Sequence, residues 1–252
     1  MITAGAYKGK TVGVFGLART GIAAVHALAA SGAKVAAWDD NVEHRAAVAD
    51  HSVNLYTADF ANLDALLLAP GVPLTHPKPH AIVVKAKESH TPLISDLDIF
   101  EAARAEMPRN HAVAITGTNG KSTTTTLVGH MVEACGGCAA VGGNIGTGVL
   151  SLQPLPAEGV YVFELSSFQL DLTQDYRADI AVLLNMSPDH LDRHGTFENY
   201  WSAKKRLFDM QNENAVAVIG IDDACGRAIA DELGERAILI SAETELPRGV
   251  YV

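Results

Sequence analysis

HAVAITGTNGKSTTTTLVGHM (residues 111–131) is the stretch that decides the fold class of this chain. Small and β-branched residues lead into a turn over residues 116–123, and a helical pattern follows with Leu127, Val128 and Met131 on one face. A strand, a glycine turn carrying a Lys-Ser pair, and a helix make up the layout of a phosphate-binding loop. The stretch therefore predicts an α/β domain with a phosphate site.

The turn supplies the groups that bind a nucleoside triphosphate. Glycines let backbone N–H groups turn inward, and the N-terminus of the helix adds positive potential. Lys121 can reach the β- and γ-phosphates, and Ser122 can ligate Mg²⁺. The spacing is irregular, since Gly117 lies three residues before Gly120 where G-x-x-x-x-G-K-[ST] asks for five. A structural turn is the alternative, but the strand–helix context favours ATP or GTP. The candidate cofactor-binding residues are Gly117, Thr118, Asn119, Gly120, Lys121, Ser122 and Thr123.

Length and composition indicate a globular protein of one large or two medium domains. The chain has 252 residues, of which 48% are apolar and 19% are charged, and its net charge is −10. This charge argues against a nucleic-acid-binding surface. The sequence shows no signal-peptide pattern and no apolar run of membrane-spanning length. We expect a cytoplasmic monomer without a nucleic-acid or membrane partner.

The segment from Cys135 to Cys138 is formally a C-x-x-C motif. A redox or zinc site is one reading of such a pair. No second cysteine pair exists, and the motif closes a helix instead of opening one after a strand. We therefore expect the exit of a helix here, with its glycines ending the helix.

A second glycine loop opens the chain. Residues 10–15 read as a strand, GLARTG (residues 16–21) opens a helix, and a second strand ends at Asp39. An acidic residue about 20 positions after the loop is the spacing of a dinucleotide fold. Ala18 takes the place of the middle glycine, which argues against a standard NAD site because its methyl group faces the pyrophosphate. A nucleotide diphosphate in another pose and a purely structural turn both stay open.

Strands alternate with helices along the whole sequence, which predicts parallel sheets covered on both faces. The fold class is α/β, with a Rossmann-like N-terminal domain followed by a P-loop ATPase-type domain. The joint falls between about 92 and 110, and we divide the domains as 1–95 and 96–252. Residues 52–55 are expected to form an edge strand, and residues 185–195 a loop.

Polar residues follow two buried strands of the second half. Glu164 ends a strand of Val, Tyr, Phe and Leu, so its carboxylate emerges at the edge of the sheet where the phosphate loop opens. A carboxylate opposite Ser122 could complete a Mg²⁺ site. Asp189, His190, Asp192 and His194 crowd the loop after the next strand. That loop is either solvated or functional, and its position at the same edge favours function.

Several motifs resemble those of the Mur ligases, which add amino acids to a UDP-linked muramoyl precursor in peptidoglycan synthesis. The matching motifs are TGTNGKSTTT (116–125), GGNIG (142–146), ELSSFQLD (164–171), NMSPDHLDRHGT (185–196) and NYWSAKKRLF (199–208), with GLARTG (16–21), APGVP (69–73) and SDLDIF (95–100) in the first half. ELSSFQLD is typical of the members that act on UDP-N-acetylmuramoyl-L-alanine and D-glutamate. The resemblance implies ATP-driven amide synthesis through an acyl phosphate.

The resemblance also implies residue roles. Lys121 would hold the β- and γ-phosphates, and Ser122 and Glu164 would bind a first Mg²⁺. His190 would bind a second Mg²⁺, and Lys204 matches a lysine that becomes carbamylated. The catalytic candidates are thus Lys121, Glu164, His190 and Lys204. The implied substrate-binding residues are Arg19, Thr20, Gly21, Asp39 and Gly71 for the UDP part, and Asn144 and Ser166 for the muramoyl-alanine part.

The family pattern includes a third domain that holds D-glutamate and completes the ATP site, whereas this sequence ends at Val252. We therefore expect a chain that binds the UDP-linked substrate without making product. Two alternatives belong to other classes: a non-catalytic nucleotide-binding module, and an oxidoreductase that uses the first glycine loop. Ala18 and the second phosphate loop argue against the oxidoreductase.

Overall fold

Parallel strands alternate with helices throughout the computed structural model, which describes all residues from Met1 to Val252. The chain divides into two units, each built around its own parallel sheet. The first unit comprises Met1–Met107, Thr147–Pro154 and Leu172–Asp175, and the second Pro108–Gly146, Leu155–Asp171 and Tyr176–Val252. The predicted α/β class with two successive parallel-sheet domains is confirmed. Residues 96–107 lie in the first unit, beyond the division proposed at residue 95.

The first unit contains a four-stranded parallel sheet with the order β2-β1-β3-β4. Its elements are β1 (Thr11–Phe15), α1 (Arg19–Ala30), β2 (Lys34–Trp38), α2 (Val42–Ala46), β3 (Ala65–Leu68), α3 (Ala81–Glu88), β4 (Leu93–Ile94) and α4 (Asp96–Arg104). Strands β1 and β3 are almost wholly buried. Helix α4 begins with a capping box between Ser95 and Asp98, which satisfies backbone groups at its first turn.

The second unit contains a seven-stranded parallel sheet with the order β11-β10-β9-β8-β5-β7-β6. Its elements are β5 (Asn110–Thr116), α5 (Lys121–Ala134), β6 (Ala139–Gly143), β7 (Gly159–Glu164), α6 (Ser167–Leu172), β8 (Ile180–Leu183), α7 (Leu191–His194), α8 (Phe197–Asp209), β9 (Val216–Gly220), α9 (Ala224–Leu233), β10 (Ala237–Ser241) and β11 (Val250–Tyr251). Strand β5 pairs with β7 on one side and β8 on the other. The loops after these three central strands therefore leave the same edge of the sheet.

Two local predictions are wrong. Residues 52–55 form no strand, because only Ser52 makes a bridge, to Ala37. The Asn54 side chain accepts the N–H of Tyr56 at 2.9 Å and turns the chain away from the sheet. Residues 185–195 are not a loop throughout, because Leu191–His194 form the short helix α7.

The helix that follows the phosphate loop, α5, packs on the sheet through small residues. Thr125 and Gly129 are its buried positions, whereas the side chains of Leu127 and Met131 are 53% and 56% exposed. Val128 packs partly against the core under the sheet. The expected apolar face is therefore only partly a packing face. None of the helices is both long enough and apolar enough to span a bilayer.

Gly21 offers a direct test of the packing in the first unit. It lies in the first turn of α1, and a Cβ atom added there would overlap the carbonyl oxygen of Gly16, the residue that follows β1. We expect Gly21→Ala to lower the free energy of unfolding by about 1–3 kcal/mol, in spite of the helix propensity of alanine. Denaturant titration followed by circular dichroism measures this.

Gly71→Ala is the matched control in the same unit. Nothing lies within 4 Å of a Cβ atom added at Gly71, so we expect a change within about 0.5 kcal/mol. Equal stabilities of the two variants would show that a methyl group at residue 21 fits between α1 and the residue after β1 without cost.

Candidate active site

The phosphate loop joins β5 to α5 and leaves the first turn of the helix without a side-chain cap. Gly120 occupies the N-cap with φ of +82°, and no side chain bonds to the helix end. The first N–H groups of a helix have no partner within the helix, so they are available to an anion. Lys121 Nζ donates to the carbonyl oxygens of Gly117 (2.9 Å) and Thr118 (2.7 Å). The ammonium group is thereby folded over the loop.

Asn185, two residues after the end of β8, holds the phosphate loop in shape. Its carbonyl oxygen accepts the N–H of Thr118, and its Oδ1 accepts the N–H of Asn119, both at 2.9 Å. Asn185 Nδ2 donates back to the carbonyl oxygen of Asn119 at 3.1 Å. Asn185 is not among the predicted site residues. Its signal in the sequence is its place at the start of the NMSPDHLDRHGT motif, just after a predicted buried strand.

Glu164 lies at the end of β7 with 3% of its surface exposed. Its Oε2 accepts from Ser122 Oγ at 2.6 Å, and its Oε1 accepts from Asn144 Nδ2 at 2.7 Å. The structure thus brings together three of the predicted site residues. A carboxylate and a hydroxyl beside a phosphate loop are oxygen donors of the kind Mg²⁺ prefers, so this pair fits the first predicted metal site.

Lys204 is buried in α8, with 2% of its surface exposed. Its Nζ donates to Thr116 Oγ1 at 3.2 Å and lies 5.0 Å from the ring centre of Tyr200. Burial lowers the pKa of Lys204 to about 7, with a further contribution from Lys121 that Asp189 and Glu164 oppose. A much larger fraction of this amine is thus neutral near pH 7 than in an ordinary lysine.

Lys205, the next residue, lies at the surface and forms ion pairs. Its Nζ lies 2.6 Å from Asp209 and 2.8 Å from Glu232, in ion pairs at the surface of α8. The structure therefore separates two lysines that look alike in the sequence, and only Lys204 faces the phosphate loop's strand.

His190 stands apart from the Ser122–Glu164 pair. It precedes α7 with φ of +51°, and its side chain is 50% exposed. Its Nε2 lies 3.5 Å from Asp189, and its ring centre is 4.9 Å from that of Phe168. No hydrogen bond or ion pair joins it to Glu164, and no three His, Cys, Asp or Glu side chains form a metal-binding group.

His194, one of the four polar residues predicted to lie close together in the loop after β8, is buried. Its side chain is 4% exposed, and its Nε2 lies 2.9 Å from Ser167 Oγ. Burial lowers the pKa of His194 to about 4, and the neighbouring His190, Lys204 and Arg193 act in the same direction, while Asp192 opposes them. The imidazole is therefore neutral at physiological pH.

Ser166 is the first polar residue after Glu164 and Leu165. Its Oγ and N–H both lie 3.2 Å from Gln169 Oε1, and its Oγ accepts the N–H of Gln169. This reciprocal pairing is a capping box at the start of α6. It holds Ser166 at the same edge of the sheet as Glu164.

The first unit gathers its predicted residues at the carboxyl ends of β1, β2 and β3. Arg19, Thr20 and Gly21 form the first turn of α1, and Gly71 lies in an exposed turn after β3. Asp39 closes the loop before α1, because its carboxylate accepts the N–H of Leu17 at 2.5 Å.

The carboxylate of Asp39 has several neighbouring hydrogen-bond donors. It also accepts the N–H of Asn41 at 2.8 Å and lies 3.2 Å from His44 Nδ1. Partial burial would raise the pKa of Asp39, but these hydrogen bonds outweigh it and lower the pKa below its ordinary value. Asp39 is thus an anion that orders the glycine loop.

Known proteins resemble the chain over its whole length. Residues 115–246 match the Mur ligase middle domain. The UDP-N-acetylmuramoylalanine--D-glutamate ligases of Phenylobacterium zucineum and Caulobacter sp. are 48% and 50% identical over 261 residues. Each alignment covers 100% of this chain and 56% of the relative, so the chain spans about half the length of these relatives.

Solved structures show the same fold at low sequence identity. A UDP-N-acetylmuramate:L-alanyl-gamma-D-glutamyl-meso-diaminopimelate ligase from Neisseria meningitides gives a TM-score of 0.58 at 15% identity, covering 96% of this chain and 82% of that one. A murein peptide ligase from Psychrobacter arcticus gives 0.52 at 15% identity, covering 95% and 57%. Because the middle-domain model matches more than half of its residues, and the relatives align with all of it, this chain belongs to the Mur ligase family.

Proposed function

We propose that this chain carries the UDP-substrate and ATP sites of a ligase that joins D-glutamate to UDP-N-acetylmuramoyl-L-alanine. The observation that carries the proposal is the Ser122–Glu164 pair at 2.6 Å, beside Lys121 at the start of α5. The names of the relatives from Phenylobacterium zucineum and Caulobacter sp. state the same D-glutamate ligase activity. A phosphate loop with a buried carboxylate at its mouth is suited to phosphoryl transfer from ATP.

The reaction proceeds in two steps. An oxygen of the L-alanyl carboxylate attacks the γ-phosphorus, the bond to the β-phosphate oxygen breaks, and ADP leaves. The amine of D-glutamate then attacks the acyl phosphate carbon, and phosphate leaves as the amine loses a proton. Two anions meet in the first step, so Lys121 contributes by neutralising charge, and the N–H groups of the loop orient the phosphates.

The metal sites rest on the donors that the chain offers. Mg²⁺ held by Ser122 and Glu164 would supply positive charge next to the β- and γ-phosphates. For the second Mg²⁺ we propose His190, with Asp189 as its neighbour and the remaining positions left to substrate oxygens and water. We propose that Asn144, whose Nδ2 donates to Glu164, contacts the muramoyl-alanine part together with Ser166.

Lys204 is proposed to react with carbon dioxide. Its neutral amine forms a bond to the carbon atom and loses a proton, giving a carbamate with one negative charge. The lowered pKa of Lys204 supplies the neutral amine, and Lys121 supplies a neighbouring positive charge that would stabilise the product.

The exposed side of α5 leaves room for a nucleoside. A wide, open depression of about 540 Å³ lies there, lined by Ser122, Thr123, Thr126, Leu127 and His130. It begins at the phosphate loop and continues along the helix. We propose that the nucleoside of ATP enters this space while its phosphates meet the helix N-terminus.

Asp39 provides the test of the UDP site. We expect Asp39→Asn to weaken binding of UDP-N-acetylmuramoyl-L-alanine about tenfold, because a neutral amide offers fewer acceptors to the N–H groups of Leu17 and Asn41. Binding of ADP with Mg²⁺ should not change. Isothermal titration calorimetry of the 252-residue chain measures both.

Asp40→Asn is the matched control, since Asp40 bonds Tyr56 and makes no bond to the glycine loop. A wild-type chain that binds ADP and not the UDP-linked ligand would favour a non-catalytic nucleotide-binding module. Binding of NADH would instead support the oxidoreductase alternative.

A further inference from the structure

We propose that His194 is a positioning residue, whose contact with Ser167 holds the segment 185–195 against α6 and so keeps the phosphate loop ready for Mg·ATP. The second part of this inference rests on the proposed function. His194 touches none of the reacting groups, and it acts through its neighbours. Both partners are buried, with 4% of His194 and 1% of Ser167 exposed.

The imidazole of His194 meets two demands at once. Its face stacks on Phe168 with ring centres 5.2 Å apart and planes 9° apart, and its edge places Nε2 2.9 Å from Ser167 Oγ. Ser167 and Phe168 are the first two residues of α6, three and four positions after Glu164. A phenylalanine could supply the stacking but would leave a buried hydroxyl without its partner.

Tyr200 links His194 to the phosphate loop. Its ring meets that of His194 edge to face, with centres 5.4 Å apart and planes at 61°. Its hydroxyl lies 3.1 Å from Thr118 Oγ1, within the phosphate loop. The ring is 1% exposed, so it cannot move without the groups packed on it.

Thr118 closes the path back to the segment that carries His194. Its Oγ1 donates to the carbonyl oxygen of Ser187 at 3.1 Å and accepts the N–H of Ser187 at 3.0 Å. The phosphate loop is thus connected to the segment 185–195 directly at Ser187, and to the ring of His194 through Tyr200. Ser167 holds the Nε2 atom of that ring. Loss of the Ser167 contact should loosen both connections.

His190 depends on the same packing. Its ring centre lies 4.9 Å from Phe168 and 6.3 Å from Tyr200, the two rings that His194 also contacts. A shift of His194 therefore changes the support of the residue proposed for the second Mg²⁺. Groups that orient a metal ligand typically change metal affinity by about 10–100-fold when they are removed.

The test uses His194→Phe, Ser167→Ala and the double variant of the 252-residue chain, with His111→Phe as the control. His111 lies at the start of β5, at the opposite end of the strand from the phosphate loop. The same substitution there should therefore leave the phosphate loop unchanged. Amide hydrogen exchange followed by NMR reports on the N–H groups of Thr118 and Ser187. We expect exchange there to be about tenfold faster in both single variants.

The double variant should exchange no faster than either single variant, because both changes remove one and the same contact. In parallel, fluorescence titration should show the affinity for a fluorescent ATP analogue with Mg²⁺ falling about tenfold or more, with unchanged affinity for UDP-N-acetylmuramoyl-L-alanine. A role in overall stability alone would not lower one affinity and spare the other.

Wild-type exchange rates in Ser167→Ala, or additive effects in the double variant, would overturn the proposal. Unchanged Mg·ATP affinity with faster exchange would overturn its functional part. If the wild-type chain failed to bind Mg·ATP, the proposed function would be contradicted, and the exchange rates would still decide the positioning role. Ser167→Ala serves if His194→Phe does not fold, since it removes only one oxygen atom.

Discussion

Replacing Lys121 by alanine should lower the affinity for Mg·ATP by about 10³-fold. The ammonium group lies over the phosphate loop, 2.9 Å and 2.7 Å from the carbonyl oxygens of Gly117 and Thr118. A phosphate oxygen about 4 Å from this charge in a partly desolvated site gains about 4 kcal/mol, which corresponds to that factor. The two carbonyl groups can bond to water in the variant, so the folded state should lose little stability. Isothermal titration calorimetry with a non-hydrolysable ATP analogue measures the loss.

Lys205→Ala is the control for the effect of charge alone. It removes the same charge from the same unit, but Lys205 pairs with Asp209 and Glu232 on the surface. We expect a change in Mg·ATP affinity of less than about twofold. Equal losses in the two variants would mean that Lys121 acts through net charge and has no direct role at the phosphates.

The parts of the site that the sequence predicts are those encoded in short segments. Gly117, Gly120, Lys121 and Ser122 lie within six residues, and the strand before them and the helix after them fix their geometry. Glu164 is predictable for a related reason. It ends a buried strand, and parallel strands bring their carboxyl ends to one edge.

The groups that hold this site depend on contacts between distant segments, which no local pattern contains. Asn185 bonds Asn119 across 66 positions, and Lys204 bonds Thr116 across 88. The role of His194 depends on Ser167, in a different helix. Each residue has a polar side chain that could equally lie in solvent, so only the pairing of the strands reveals its partner.

Local patterns also fall short at two other places, for a similar physical reason. Hydrophobic spacing places Leu127 and Met131 on a helix face, but that pattern does not say which face meets the sheet. Thr125 and Gly129 are buried in their place, because small side chains allow close approach of the helix to the sheet. At residues 52–55 a hydrogen bond from Tyr56 to the side chain of Asn54 competes with strand pairing.

Lys204→Met should stabilise the fold, and in a ligase of the relatives' full length it should abolish ligation. Burial lowers the folded-state pKa of Lys204 to about 7 from 10.5. Between those two pH values the unfolded chain binds more protons than the folded chain, so stability rises with pH through that window. Below about pH 7 the full cost of burying the amine is present. Methionine has no such cost, so the free energy of unfolding at pH 7 should rise by about 1–4 kcal/mol.

The measurement is denaturant unfolding at several pH values from 6 to 10, with Lys205→Met as the control. Lys205 has a raised pKa because of its hydrogen bonds to Asp209 and Glu232, which outweigh its partial burial, so its loss should not stabilise the protein. The rise in stability with pH should be smaller in Lys204→Met than in the wild type. An unchanged pH dependence would show that the amine is charged in the folded state at pH 7. Such an amine would have only a small neutral fraction available to react with carbon dioxide at pH 7, so the ¹³C NMR signal expected for wild-type protein in ¹³C-labelled bicarbonate should then be much weaker.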